Sequence, residues 1–142
     1  MTSELDPIIR IQGIAGARSA CRVMGNRSFV LLSPENAALS HGAQWFGDLV
    51  TLIRSEFPDT RFKATLDCRG RLSGALAAIE IGIDCVIIDP LDEVQVQSLR
   101  DLGRQAACAI LTAHPAAIAI YEMEDDRLPD HELDRRLKTS LR

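Results

Sequence analysis

Ala75-Leu-Ala-Ala-Ile-Glu-Ile-Gly-Ile-Asp-Cys-Val-Ile-Ile-Asp89 decides the fold. With Leu72 just upstream, Leu76 and Ile79 recur at helical spacing, and Gly82 stops the run. Cys85 to Asp89 is then β-branched, uninterrupted and closed by Pro90. A continuous apolar run bounded by turn residues suits a parallel strand covered on both faces. A helix leading directly into such a strand is half of a βαβ unit, and such units cross over right-handed.

Two further runs read the same way. Ser28-Phe-Val-Leu-Leu-Ser33 ends at Pro34, and Cys108-Ala-Ile-Leu-Thr112 ends just before His114-Pro115. Arg61-Phe-Lys-Ala-Thr-Leu-Asp67 alternates instead, with Phe62, Ala64 and Leu66 on one face, which places it nearer an edge. Helical stripes fill the gaps. Trp45, Leu49, Leu52, Ile53 and Phe57 form one, closed by Pro58. Val96, Leu99, Gly103 and Ala106 form another, with Asp89 as its expected N-cap and Pro90 at its first position. Ala15, Ala17, Ala20 and Met24 outline a short Ala-rich helix, against which Gly13 and Gly16 count.

The reading is a single α/β domain over residues 1–120. Its expected form is a three-layer α/β/α arrangement around a parallel sheet of about four strands (28–33, 62–67, 85–89 and 108–112), flavodoxin-like or receiver-like in outline. Residues 121–142 are a charged C-terminal tail with seven acidic and five basic residues. Leu133, Leu137 and Leu141 give it the stripe of a terminal helix, packed on its own domain or docked on a partner.

Composition bounds the function. The chain has 142 residues, 46% hydrophobic and 25% charged, the profile of one globular domain. Runs such as Ala106–Leu111 fall far short of the roughly 20 apolar residues of a membrane span. Glu4, Asp6 and Pro7 stand where a secretory leader would be apolar. A net charge of −4 argues against nucleic acid as the partner. Four cysteines without Cys-x-x-Cys spacing suit free thiols in a reducing cytoplasm, with no disulfide and no zinc. Neither a P-loop nor a dinucleotide fingerprint is present, so no cofactor is expected.

Ligands of open α/β sheets bind outside the carboxyl ends of the strands. That edge collects Ser33, Glu35 and Asn36, then Asp67 to Gly74, then Asp89, Asp92 and Glu93, then Thr112 and His114. Asp67-Cys-Arg-Gly-Arg-Leu-Ser-Gly74 passes from a strand end to a helix start, where backbone N–H groups favour an anion. Arg69, Gly70, Arg71 and Ser73 are the expected anion contacts, with Asp89 and Thr112 alongside. Cys68 beside Arg69 is a candidate nucleophile, and Asp67 and His114 are candidate acid or base groups. Asp67 and Asp89 at neighbouring strand ends could pair on a hard cation, but N-capping explains both, so no metal site is expected.

Gly82-Ile-Asp-Cys-Val-Ile-Ile-Asp89, Leu99-Arg-Asp-Leu102 and Ala109-Ile-Leu-Thr-Ala-His114 together resemble part of a response-regulator receiver domain. The resemblance implies that Asp89 takes the phospho-accepting position and Thr112 the position at the end of the following strand. The chain departs from that family in carrying Ser33-Pro34-Glu35 where receivers have an acidic pair, and in having only Lys63 and Lys138 as lysines. Ala75 to Val86 also resembles the helix-to-strand units of β/α barrels. Two functions are therefore open. One is a non-catalytic module binding a partner protein, a second copy or a small ligand. The alternative is a small enzyme acting on an anionic metabolite at the carboxyl edge.

Overall fold

The computed structural model describes residues 6–141, so the expectation about the leading segment lies partly outside the described residues. Six strands are formed: β1 (Ile8–Arg10), β2 (Ser28–Leu32), β3 (Arg61–Asp67), β4 (Cys85–Ile87), β5 (Ala109–Leu111) and β6 (Ile120–Glu122). They make one sheet in the order β5-β4-β3-β2-β1-β6, and every neighbouring pair is parallel. The α/β class and the all-parallel sheet follow the expectation, with six strands instead of about four. At that level the fold fits a flavodoxin-like outline. Its own strand order is sequential from β1 to β5, with β6 on the far side of β1.

Six helices accompany the sheet: α1 (Ile14–Met24), α2 (Ala37–Ser40), α3 (Ala43–Glu56), α4 (Leu72–Ile81), α5 (Glu93–Gln105) and α6 (Asp130–Ser140). Among the described residues, no helix is long and apolar enough to cross a membrane. Each step from β1 to β5 moves one strand in the same direction. Right-handed crossovers then put α1, α3, α4 and α5 on one face of the sheet, so among the described residues the helices that share its core form one layer and not the two expected. The side chains agree. Ile9, Phe29, Leu31, Phe62, Ala64, Leu66, Val86 and Ile110 are buried in the large core that also contains Ala17, Ala20, Phe46, Ile53 and Ala78 of the helices. Phe62, Ala64 and Leu66 do share that face, although β3 lies inside the sheet and not near its edge.

The alternate residues point to the other face, where Leu32, Ile87 and Ile120 make a small second cluster with Ile8. No α-helix lies between β5 and β6. Residues 112–119 lead from one edge strand to the opposite one through a short 3-10 turn, Ala117–Ala119. Pro115 of that strap borders this face, which is open where Lys63, Ala109 and Leu111 are exposed.

Local chemistry explains the boundaries. α5 is capped by Asp92, whose carboxylate accepts the Gln95 N–H at 2.8 Å. Asp89 is therefore not the cap. The chain from Asp89 to Leu91 stays irregular, and the helix starts only at Glu93. α6 sets Leu133 and Leu137 into the core against α1, and Asp134 accepts hydrogen bonds from Ser19 and Arg22 of α1. α1 forms despite its glycines because one of them is needed. A Cβ on Gly16 would lie 2.5 Å from Oδ2 of Asp125. That carboxylate accepts the N–H groups of Gln12, Gly13 and Gly16 at 2.8 to 2.9 Å, closing the start of α1 from within.

Candidate functional site

β1, β3 and the strap bring three ionisable groups together at the carboxyl edge. Arg10 ends β1 and is 5% exposed; Asp67 ends β3 and is wholly buried. Arg10 donates through Nη1 to Glu35 at 3.1 Å and Glu122 at 2.9 Å. Its Nη2 lies 2.7 Å from Nε2 of His114 in the strap. Nδ1 of His114 lies 2.8 Å from the Pro115 carbonyl. A carbonyl only accepts and a guanidinium only donates, so the geometry fits the imidazole with its proton on Nδ1. Nε2 is also 3.9 Å from Oδ2 of Asp67. Arg10 Nε is buried with no acceptor of its own.

Asp67 is enclosed by donors. Arg69 forks onto it, Nε to Oδ1 at 2.9 Å and Nη2 to Oδ2 at 2.6 Å, and the Arg69 N–H adds a bond at 3.1 Å. Burial pushes this carboxyl up, but the hydrogen bonds from Arg69 and from the Asn36 and Arg69 backbone outweigh it, and it lies below its ordinary value. The loop expected to cradle an anion is thus already supplied with carboxylates. Gly70, held at a φ of 84°, gives its N–H to Oδ2 of Asp89 at 2.7 Å. Arg71 and Ser73 are exposed at the start of α4, and Thr112 is half-buried at the head of the strap.

Cys68, the candidate nucleophile, is placed where a thiol is unreactive. It is buried, and burial first, then the Asp67 charge, push it up to about 12. The charge beside it that matters is the carboxylate, because Arg69 has turned to neutralise Asp67. Cys85 and Cys108 are pushed up to about 12 and about 11, chiefly by burial. Among the described residues, no group of His, Cys, Asp and Glu is placed to hold a metal ion.

Sequence reasoning missed Arg10, Glu122 and Asp125. β1 and β6 are three residues each, too short to show a period, so the pairing of Arg10 with Glu122 has no local signal. It missed the open face as well. There β3 presents Lys63, Thr65 and Asp67 in line from the amino to the carboxyl end, the complement of its Phe62-Ala64-Leu66 alternation. A cavity of about 620 Å³ lies on this face. Its walls are Ile8, Val30, Leu32, Cys85, Ile87, Ala109 and Leu111, with Pro115 of the strap, and it reaches Arg104 and Ala107 by the β5 edge. Lys63, Thr65, Asp84 and Arg104 are its polar lining residues. Asp84 is held by Arg54 at 2.7 Å and by the Ala64 N–H, and Arg104 pairs with Asp101. Lys63 alone of the four charged and hydroxyl groups is exposed without an ion-pair partner among the described residues.

The site does not come with a family attached: the sequence matches no protein-family model and no curated protein.

Proposed function

We propose that the chain is a non-catalytic binding module for a small, mostly apolar molecule that carries one anionic group. The observation that carries this reading is the apolar cavity of about 620 Å³ on the open face. That volume is in the range of small-molecule sites, roughly 300–1,000 Å³. Apolar walls supply most of the affinity, and Lys63 gives the one uncommitted charge on them. An anionic end next to Lys63, with the body along Val30, Leu32 and Cys85, uses both. His114 and Asp67 are the acid or base candidates of the alternative enzyme reading. Their bonds to Arg10, Pro115 and Arg69 leave neither aimed at a reactant, which supports binding over catalysis. Asp89 as a receiver-type phospho-acceptor has weaker support, since its carboxylate already serves Gly70. A reducing, cytoplasmic setting fits the four free thiols.

Titration calorimetry with decanoate and with decanol tests the reading. Both should bind, decanoate more tightly. Ala109→Trp, at an exposed wall position, should weaken both by tenfold or more. Lys63→Ala should bring decanoate down to the level of decanol. If neither probe binds, or if Ala109→Trp changes nothing, the cavity is not a ligand site.

A further inference from the structure

We infer that Thr65 is a second polar anchor in the open-face cavity, so that the ligand is an oxygenated aliphatic acid. It carries a hydroxyl or carbonyl group a few carbons from its carboxylate, which rests on the binding role proposed for that cavity. Thr65 lies between Leu32 of β2 and Cys85 of β4, with Lys63 two residues before it on the same strand. All four line the cavity. For packing alone Val would serve at this place, as Val30 does one row away beside Lys63.

The hydroxyls of the fold make the contrast. Among the described residues, Ser19, Ser33 and Thr65 are the buried ones. Ser19 donates to Asp134. Ser33 donates to the Pro34 carbonyl and accepts the Asp67 N–H. Both are therefore used by the structure. Thr65 is only 5% exposed, yet its hydroxyl faces nothing better than the Cys85 thiol, a weak partner. Its oxygen is not sealed in, since among the described residues Arg10 Nε is the enclosed side-chain nitrogen or oxygen that lacks a partner. It opens to the cavity that Thr65 lines.

A buried polar group costs free energy until something bonds to it. A ligand oxygen at Thr65 would remove that cost. A hydroxyl both donates and accepts, so it takes an alcohol or a carbonyl alike. Lys63 fixes where that oxygen stands in the ligand. Two residues of strand span about 6.6 Å. Strand side chains lean along the strand, and Lys has a flexible four-carbon stem. The ammonium can thus reach toward Thr65, which brings the carboxylate and the second oxygen together at one end of the ligand. The rest of the chain runs along Val30 and Leu32. A site that bonds a ligand oxygen discriminates against the analogue without it more sharply than a pocket that measures size.

Titration calorimetry with decanoate, β-hydroxydecanoate and ω-hydroxydecanoate tests this. In the wild type β-hydroxydecanoate should bind roughly fivefold more tightly than decanoate, the worth of one net hydrogen bond. ω-Hydroxydecanoate should gain nothing, because its hydroxyl lies at the wrong end. Thr65→Val should bind decanoate as the wild type does and lose the preference for the β-hydroxy acid. Thr65→Ser, which keeps the hydroxyl, should retain that preference. Failure of both decanoate and β-hydroxydecanoate to bind overturns the cavity's role and that of Thr65 with it. Binding of decanoate with no advantage for β-hydroxydecanoate overturns the inference alone. So does an advantage that survives Thr65→Val, or one that ω-hydroxydecanoate shares.

Discussion

The carboxyl edge and the open face belong to the same sheet, yet they treat their polar groups in opposite ways. At the carboxyl edge Arg10, His114, Asp67, Arg69 and Asp89 bond to one another and to backbone N–H groups, so the chemistry there is consumed by the fold. On the open face the walls are apolar, and Lys63 is left facing the cavity. A residue type suited to chemistry is informative only when its bonds are free. By that measure the edge is structural, although it holds most of the polar residues, and the face is the better candidate for the proposed binding site.

The sharpest way to break this comparison is to remove a charge from each region. Asp67→Ala leaves Arg69 and two backbone donors without their acceptor in a buried place. It should cost about 3 kcal/mol, the lower end for breaking a buried pair, since Arg69 is partly solvated. Lys63→Ala should change stability by less than about 0.5 kcal/mol. Urea unfolding measures both, and equal costs would erase the distinction. The pH dependence has a definite sign. The folded Asp67 carboxyl lies below its ordinary value of 3.8. As pH falls the unfolded chain therefore takes up the proton first. The Asp67 contribution is complete above that value and is lost as pH drops through the folded one. Asp67→Ala should flatten stability against pH in that acid window.

A second, smaller effect probes how the fold closes its helix starts. Gly16→Ala would put a methyl 2.5 Å from the Asp125 carboxylate that holds Gln12, Gly13 and Gly16. Displacing it should cost about 2 kcal/mol, within the usual range for overpacking. Asp125→Ala loses the same bonds, so the double variant should cost less than the sum of the singles. Strict additivity in thermal or urea unfolding would show that the two residues do not share one contact.

What could be read from the sequence divides along the same line. Strand 61–67 and the helices α3 and α4 declare themselves by period, because burial of one face repeats over many residues, whereas 28–32 was legible as an apolar run. Cys85–Ile87 and Ala109–Leu111 were legible as apolar runs, though each is shorter than its run. β1 and β6 were not, since three residues carry no period and the parallel partner is remote in the chain. The polar edge was placed correctly by the strand ends. Its internal pairing was invisible, because nothing local tells that Asp67 takes Arg69 or that Asp125 reaches back across more than a hundred residues to Gly13. The open face followed from strand order, which no single segment encodes.

The smallest effect concerns the loop after Asp67, where an anion was expected and the chain supplies its own. Asp89 is exposed and accepts the Gly70 N–H across the loop. Asp89→Ala should therefore cost only about 1 kcal/mol, the net value of one such bond. It also frees a backbone donor next to Arg71 at the start of α4, a place that favours negative charge. Phosphate should then restore part of the loss in Asp89→Ala by binding the folded state alone. In the wild type, phosphate should raise the melting temperature no more than chloride does at equal ionic strength, because the donor is already taken. Thermal melts of the two proteins in both salts decide the matter. A phosphate gain in the wild type that disappears in Arg71→Ala would mean that the loop is an open anion site and that the carboxyl edge is not closed after all.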